Sequence, residues 1–221
     1  MNEPRTIALI AVSVGEPAYI GDLENGKPVL SGIVKARVSN ATIAVGKTNL
    51  AGDRQADLRA HGGVDKAIYV YPSEHLPGWT EELGFAELLG PNAFGENLTT
   101  SGIVETEACI GDVWAWGSAL VQISQPRGPC YKLEMTLDRP GLIPRISQSG
   151  RTGWYLRVLE PGEAPVAGPI ELVERHPAGL TVWEANHARM IGDNPALIEK
   201  ALHVPELAHA WSRGLRVPSK I

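Results

Sequence analysis

The pattern of apolar and polar residues predicts short strands along most of the chain. Residues 7–14 are almost all apolar, which is typical of a buried strand, and residues 33–38 alternate between apolar and basic side chains, which is typical of a half-exposed one. Further segments rich in β-branched and aromatic residues predict strands at 41–45, 67–71, 113–116, 119–124, 154–159 and 169–175. Gly117 and Ser118 form a two-residue link that predicts a hairpin. The pattern favours a mainly β fold, with a closed or nearly closed β-barrel in residues 1–175.

The pattern changes near His176, where helix start signals replace the strand pattern. Three such signals follow: the capping box of Thr181 and Glu184, the pair Asn194-Pro195, and Pro205. They predict three short helices between residues 180 and 215, and a further short helix is predicted at 73–83. The sequence therefore predicts a β-barrel domain in residues 1–176 and a small three-helix module in residues 177–221.

Composition and charge narrow the class of protein. The chain has 221 residues, 43% of them hydrophobic, and a formal net charge of −5, which argues against a nucleic acid partner because such partners need a basic face. No apolar stretch approaches the roughly 20 residues that span a bilayer, and the first residues lack the basic region of a signal peptide. With two cysteines, a disulfide framework is not expected. We therefore expect a cytoplasmic protein that acts without a membrane or a nucleic acid polymer.

Cys130 lies in the segment most suited to chemistry, Gln-Pro-Arg-Gly-Pro-Cys-Tyr-Lys at residues 125–132. Its two prolines fix backbone angles, so the segment is stiff. Arg127 and Lys132 flank the thiol, and nearby cations favour the thiolate, which is nucleophilic and binds soft or high-valent metals. The alternative is that Cys130 is a small buried apolar residue, as lone cysteines commonly are. The other cysteine, Cys109, has acidic neighbours and is assigned to the core.

The segment His61-Gly62-Gly63, followed by Lys66, is a second candidate. The paired glycines allow backbone N–H groups to approach an anion, and His61 and Lys66 add side-chain donors, so the segment is suited to cradling a phosphate. The alternative is an ordinary turn. A third candidate, Asn97, offers both a hydrogen-bond donor and an acceptor to the edge of a heterocycle, unless it only caps a turn.

Five motifs in one order resemble the MOSC domain, the family named for the C-terminal domain of the molybdenum cofactor sulfurase. They are Gly52-Asp-x-Gln-Ala, His61-Gly-Gly-x-Asp-Lys-Ala, Phe94-Gly-Glu-Asn-Leu, Gly111-Asp and Gln125-Pro-Arg-x-Pro-Cys-x-Lys. The resemblance covers about residues 30–175 and is closest to the YiiM-like bacterial branch, whose C-terminal 3-alpha extension the predicted helices resemble. It implies a barrel related to the β-barrel domain of pyruvate kinase.

The resemblance implies a bound molybdenum cofactor, molybdopterin, with Cys130 at the family position that ligates molybdenum or takes up sulfur. Cations and backbone N–H groups would hold the phosphate of the cofactor, and amide side chains would contact its pterin edge. The implied cofactor-binding residues are Asp53, Gln55, His61, Gly62, Gly63, Lys66, Asn97, Arg127 and Lys132.

The resemblance also implies a reductase of small N-hydroxylated compounds such as hydroxylaminopurine. An external protein, expected to be a flavoprotein, would supply the electrons, because no flavin, haem or iron–sulfur motif is present and a cluster needs more than two cysteines. One alternative is a carrier that delivers the cofactor or a persulfide on Cys130. Another is a thiol hydrolase or transferase in which His61, with Asp65 as the orienting group, activates Cys130. The three-helix module would dock the donor, cover the pocket or stabilise the barrel, and the oligomeric state stays open.

Overall fold

Strands and short helices alternate along the chain, of which the structure, a computed structural model, describes residues 5–216. In this part twelve strands form: β1 (Thr6–Val14), β2 (Ala18–Asp22), β3 (Pro28–Ser31), β4 (Ala36–Arg37), β5 (Thr42–Val45), β6 (Ile68–Pro72), β7 (Leu98–Ser101), β8 (Val113–Trp116), β9 (Ala119–Pro126), β10 (Trp154–Glu160), β11 (Gly162–Pro165) and β12 (Gly168–Glu174). The same residues form seven α-helices: α1 (Leu58–His61), α2 (Leu76–Glu82), α3 (Tyr131–Leu137), α4 (Leu142–Ser149), α5 (Val182–Met190), α6 (Pro195–Leu202) and α7 (His209–Ser212). None of these helices is long and apolar enough to cross a membrane.

Seven of the strands close into a barrel, in the order β1, β12, β8, β9, β10, β6, β7 and back to β1. Neighbouring strands run antiparallel except β6 and β7, which are parallel. A ring with an odd number of strands cannot alternate direction at every step, so it needs a parallel pair. A parallel pair also needs a long crossover, here residues 73–97, which carry α2. The predicted mainly β fold with a closed barrel is therefore confirmed.

The strand prediction for residues 33–38 was wrong, whereas the other predicted strands are present with small shifts at their ends. Within that segment only Ala36–Arg37 forms a strand, β4, beside the end of β1. The side chain of Lys35 turns inward and forms a buried ion pair with Asp53, although the alternation predicted an exposed side chain. Most of this segment is a loop that folds back into the molecule. Its alternation of apolar and basic residues therefore resembles that of a strand without forming one.

The three predicted C-terminal helices are confirmed, and so are two of their caps. The hydroxyl of Thr181 accepts from the backbone N–H of Glu184, and the Glu184 carboxylate accepts from that of Thr181. The side chain of Asn194 caps α6. The third helix does not begin at Pro205, as predicted, but at His209. Residues 204–208 instead form a turn, whose apolar side chains are buried against the rest of the core.

Two apolar clusters hold the strands and helices together. The larger one fills the barrel and continues without a break into the C-terminal helices, so that Trp114 and Val158 share it with Ala185 and Trp211. The smaller cluster lies beneath α2, α3 and α4 and includes Leu133. The sequence did not predict α3 or α4. They pack on this second cluster and so fix the chain that follows Cys130.

Candidate functional site

Two cavities meet at Cys130. An inner cavity of about 80 Å³ reaches toward Asp53 and Asn97, and an outer cleft of about 530 Å³ opens toward the C-terminal helices. The residues that line both are His61, Lys66, Cys130, Lys132 and Tyr155. A ligand that occupied either space would therefore reach the same thiol.

Cys130 stands where a barrel strand ends and a helix begins. Strand β9 ends at Pro126, α3 begins at Tyr131, and Cys130 is the N-cap residue of that helix. Its side chain makes no capping hydrogen bond, and the thiol is free and half-buried. The backbone N–H of Arg127 donates to the carbonyl of Gly153 at 3.2 Å, which anchors the intervening turn to the barrel. The thiol is therefore held by regular elements on both sides.

Arg127 is a buried cation with an unused donor. Its exposed fraction is 6%, and no described residue accepts a hydrogen bond from its Nη1 atom. The guanidinium carbon lies 5.4 Å from the ring centroid of Tyr69, so the aromatic face stabilises the charge. A buried donor without an acceptor costs free energy. An anionic group in the inner cavity would supply that acceptor.

Lys35 also lines the inner cavity, although it was not among the site residues predicted from the sequence. It pairs with the Oδ1 atom of Asp53, which also accepts from the backbone N–H of Gly15 at 3.0 Å. The Oδ2 atom of Asp53 is buried and has no partner among the described residues. In the sequence, Lys35 occupied a polar position of the strand that was wrongly predicted at residues 33–38. That position predicts an exposed side chain. Asp53 was predicted as a site residue, and the structure places it in the cavity wall with Lys35.

Gln55 and Asn97 bring side-chain amides to the inner cavity. The Nε2 atom of Gln55 donates to the side-chain oxygen of Asn49 at 2.6 Å. The Oδ1 atom of Asn97 accepts from the backbone N–H of Tyr69 at 3.0 Å, and its Nδ2 donates to the carbonyl of Ser13 at 3.2 Å. Asn97 therefore ties β6 to the end of β1, and these two bonds use part of the hydrogen-bonding capacity of its amide.

Cations converge on the junction of the two cavities. Burial lowers the pKa of His61, and the charges of Lys132, Arg127 and Lys66 lower it further. Burial also lowers the pKa of Lys66, followed by the charge of Arg189. The Nζ atom of Lys132 donates to the carbonyl of Leu30 at 2.9 Å. The junction therefore disfavours further positive charge and favours an anion.

The balance of charge in both cavities is the opposite of that in the whole chain, whose net charge is −5. The described residues that line the inner cavity include one carboxylate, Asp53, and five cations: Lys35, Arg54, Lys66, Arg127 and Lys132. The outer cleft likewise has one carboxylate, Asp57, among its described lining residues, and three cations: Lys66, Lys132 and Arg189. Such a concentration of one sign focuses the field on a ligand of the other sign.

Gly62 and Gly63 are not among the described residues that line either cavity. Gly63 has φ 101° and ψ 168°, a conformation open essentially to glycine, and it precedes the short turn Val64–Lys66. A Cβ atom on Gly62 would lie 2.8 Å from a side-chain carbon of Leu58. The structure therefore shows the two glycines shaping the turn that brings Lys66 to the cavities.

Asp65 does not orient His61. Its carboxylate pairs with the Nε atom of Arg157 at 2.8 Å, and the same guanidinium donates to the side chain of Gln122 and the carbonyl of Glu206. The triad needed for a thiol hydrolase of the predicted kind is therefore not formed. Within residues 5–216, no three His, Cys, Asp or Glu side chains gather as a metal site.

Cys109 lies in the core, as predicted from its sequence. Burial raises the pKa of its thiol, and the charge of Asp112 raises it further. The sequence did not reveal its cationic neighbour: the Nη1 atom of Arg175 lies 3.1 Å from the Cys109 sulfur and 2.8 Å from the Asp112 carboxylate. Cys109 does not line the two cavities, so it provides an internal control for experiments on Cys130.

Comparison with known proteins gives one consistent family. A model of the MOSC domain matches residues 57–171. The uncharacterized protein YflK of Bacillus subtilis is 38% identical over 205 residues, which are 92% of this chain and 90% of the relative. The protein YiiM of Escherichia coli is 40% identical over 171 residues, 76% of this chain and 75% of the relative. A Gibberella moniliformis protein named reductase is 34% identical over 152 residues, 68% of this chain but 27% of that protein. The crystal structure of YiiM from Geobacillus stearothermophilus is similar with a TM-score of 0.76 and 35% identity, over 94% of this chain and 96% of that one.

Proposed function

Because the chain belongs to the MOSC domain family, in its YiiM-like branch, we propose that it binds a molybdenum cofactor at the junction of its two cavities. We propose further that the protein reduces small N-hydroxylated compounds such as hydroxylaminopurine. The electrons would come from a separate donor, for which a cytoplasmic flavoprotein is the expected class. The observation that carries the proposal is a half-buried free thiol between two cavities in which cations outnumber carboxylates.

The residues present fit the chemical groups of molybdopterin, which are a phosphate, a pterin and a dithiolene. The Nη1 atom of Arg127, a buried donor without an acceptor among the described residues, fits an anionic oxygen. Lys35 adds a second buried charge in the same cavity. Gln55 and Asn97 offer amides to a heterocycle edge, and Cys130 offers a thiolate for the metal.

When bound, the cofactor would supply a metal centre that carries two electrons. The chain would position the substrate and supply protons, since cleavage of N–OH to N–H and water consumes two of each. His61 and Tyr155 reach both cavities and are the groups that we propose for proton delivery. Burial raises the pKa of Tyr155, so its hydroxyl keeps its proton at neutral pH. Asp53 would hold Lys35 in place rather than touch the substrate.

One relative supports the class of reaction. The Gibberella moniliformis protein is named a reductase, and the matched region is 27% of its length. The remaining chain of that protein lies outside the match. We take its name as support for reduction and not for a particular substrate.

The proposal is tested by comparing the two cysteines. The protein would be produced in a host that makes the cofactor, analysed for molybdenum and pterin, and assayed with a chemical electron donor and hydroxylaminopurine. We expect Cys130→Ala to lose turnover, and we expect Cys109→Ala to keep it because that thiol lies outside both cavities. Both variants should show the same far-UV circular dichroism as the wild type.

Two results would contradict the proposal. Equal turnover in the Cys130→Ala variant and the wild type would remove the thiol from the reaction. Absence of molybdenum and pterin, together with a labile additional sulfur on Cys130 in mass spectra, would favour the carrier over the reductase.

A further inference from the structure

The C-terminal helices form part of the wall of the outer cleft. Arg189 of α5 and Ala210 and Trp211 of α7 line the cleft from one side. Lys66 and Cys130 line it from the barrel side. The helices therefore contribute directly to the space next to the thiol, in addition to packing against the barrel.

Arg189 is held in one position by its own module. Its Nη1 atom donates to the carbonyls of Ala210 at 2.9 Å and Trp211 at 3.1 Å. The guanidinium carbon lies 4.5 Å from the ring centroid of Trp211, and a Cβ atom on Gly214 would lie 2.6 Å from the same carbon. None of the described residues accepts from its Nε or Nη2 atom. Such a fixed cation loses little freedom when it binds an anion.

Arg189 and Lys66 bring like charges to the same cleft. Both residues line the outer cleft, and the charge of Arg189 lowers the pKa of Lys66 after the larger effect of burial. Lys132 adds a third cation, and Asp57 is the one carboxylate among the described lining residues. A dianion between Arg189 and Lys66 would turn their repulsion into attraction to a shared partner.

We propose that the outer cleft binds a phosphate monoester of the substrate, held between Arg189 and Lys66, so that the protein acts on N-hydroxylated nucleotides. This rests on the proposed reductase function and specifies its substrate class. The cleft volume of about 530 Å³ suits a small-molecule ligand. Tyr131 and Tyr155 bring aromatic rings to its wall, which suit a planar base. In the reaction the N–O bond breaks, two electrons arrive from the donor, two protons form N–H and water, and the phosphate is unchanged.

The binding test uses the reaction product, so that no turnover occurs. Adenosine 5′-monophosphate and adenosine would be titrated calorimetrically into the protein as purified, without an electron donor. We expect the monophosphate to bind at least about tenfold more tightly than adenosine, because its phosphate makes two charge-assisted contacts that adenosine lacks. The difference should shrink as salt is added.

Variants locate the phosphate. Arg189→Gln should weaken binding of the monophosphate about tenfold and leave that of adenosine unchanged. Arg213→Gln is the matched control, because this exposed arginine belongs to the same helical module but does not line the outer cleft. Lys66→Gln removes the cation on the barrel side and should also weaken binding of the monophosphate. If both cations hold one phosphate, the double variant should lose less binding free energy than the sum of the two single losses.

Each outcome decides between this proposal and another source of phosphate. Loss of molybdenum and pterin from the Arg189→Gln variant would overturn it, because the phosphate would then be that of the cofactor. Equal affinities for the two ligands in the wild type, or additive losses in the double variant, would also overturn it. Unchanged thermal melting of Arg189→Gln shows that the module still folds. A wild-type protein without molybdenum would refute the proposed reductase, while the comparison of the two ligands would still report on the subsite.

Discussion

At the scale of single residues, the buried ion pair of Lys35 and Asp53 offers the sharpest test of the inner cavity. The exposed fractions of these side chains are 6% and 1%. We expect Lys35→Met to lower the free energy of unfolding by about 3 kcal/mol, because it leaves the Asp53 carboxylate buried without its partner charge. Urea unfolding measures this, and adding Asp53→Asn should recover part of the loss because Asn carries no charge.

The control for this experiment is a pair of the same charges at the surface. Arg54 and Glu16 lie 3.5 Å apart with 73% and 60% of their side chains exposed. We expect Arg54→Gln to change the free energy of unfolding by less than about 0.5 kcal/mol, because water screens the pair. If Lys35→Met were as mild as Arg54→Gln, Lys35 would have to reach solvent in the folded protein.

His61 makes stability depend on pH below neutrality. Burial and nearby cations lower its pKa in the folded protein below the ordinary value of 6.5. As the pH falls through 6.5, the unfolded chain takes up a proton that the folded protein resists, so the free energy of unfolding falls. His61→Gln stays neutral in both states, and we expect it to lose this part of the slope. Urea midpoints of the two proteins between pH 7.5 and pH 5 check the prediction, and identical slopes would refute it.

Candidate residues were predictable where neighbours in the chain define the chemistry. Arg127 and Cys130 stand in one stiff segment, so their common place in the cavity follows from the sequence alone. Lys35 and Tyr155 reach the same cavity from separate parts of the chain, through contacts that no local pattern records. The role of Gly63 was also hidden, because a glycine with positive φ looks the same in sequence whether it binds an anion or shapes a turn.

At the scale of elements, the capping box of α5 positions the helix that carries Arg189. We expect Thr181→Ala to lower the free energy of unfolding by about 1 kcal/mol, because the backbone N–H of Glu184 loses its acceptor. Thr136→Ala is the control: that hydroxyl lies inside α3 and donates to carbonyls of its own helix. Chemical denaturation measures both variants. A loss in Thr136→Ala as large as that in Thr181→Ala would show that capping is not the cause.

Elements with local determinants were predicted, and those that depend on packing were not. The caps at Thr181 and Asn194 are signals within a few residues, and both are present. Helix α3 has seven residues, too few to be stable alone, and it forms because Leu133 is buried in the second apolar cluster. The sequence of such a short helix contains no comparable signal, since its stability comes from distant residues.

At the scale of the whole molecule, the barrel and the C-terminal helices share one apolar core. Polar contacts also join them: Arg157 donates to the carbonyl of Glu206, and the backbone N–H of Ala208 donates to the carbonyl of Ser124. We therefore expect the full chain to unfold in one cooperative transition. Calorimetry would give equal calorimetric and van't Hoff enthalpies. Two separate transitions would mean that residues 177–221 fold as an independent unit.

The closure of the barrel by β1 and β12 also has a consequence for biosynthesis. Thr6 pairs with Glu171 and Leu9 with Gly168. Strand β1, which is synthesised first, therefore cannot complete its pairing until β12 has been synthesised. During translation the ribosome has to release nearly the whole barrel before the ring closes. A ribosome stalled before residue 168 should therefore hold a nascent chain whose barrel is still open and which proteases cleave readily. On the proposed function, insertion of the molybdenum cofactor would be a late step, after synthesis of the barrel is complete.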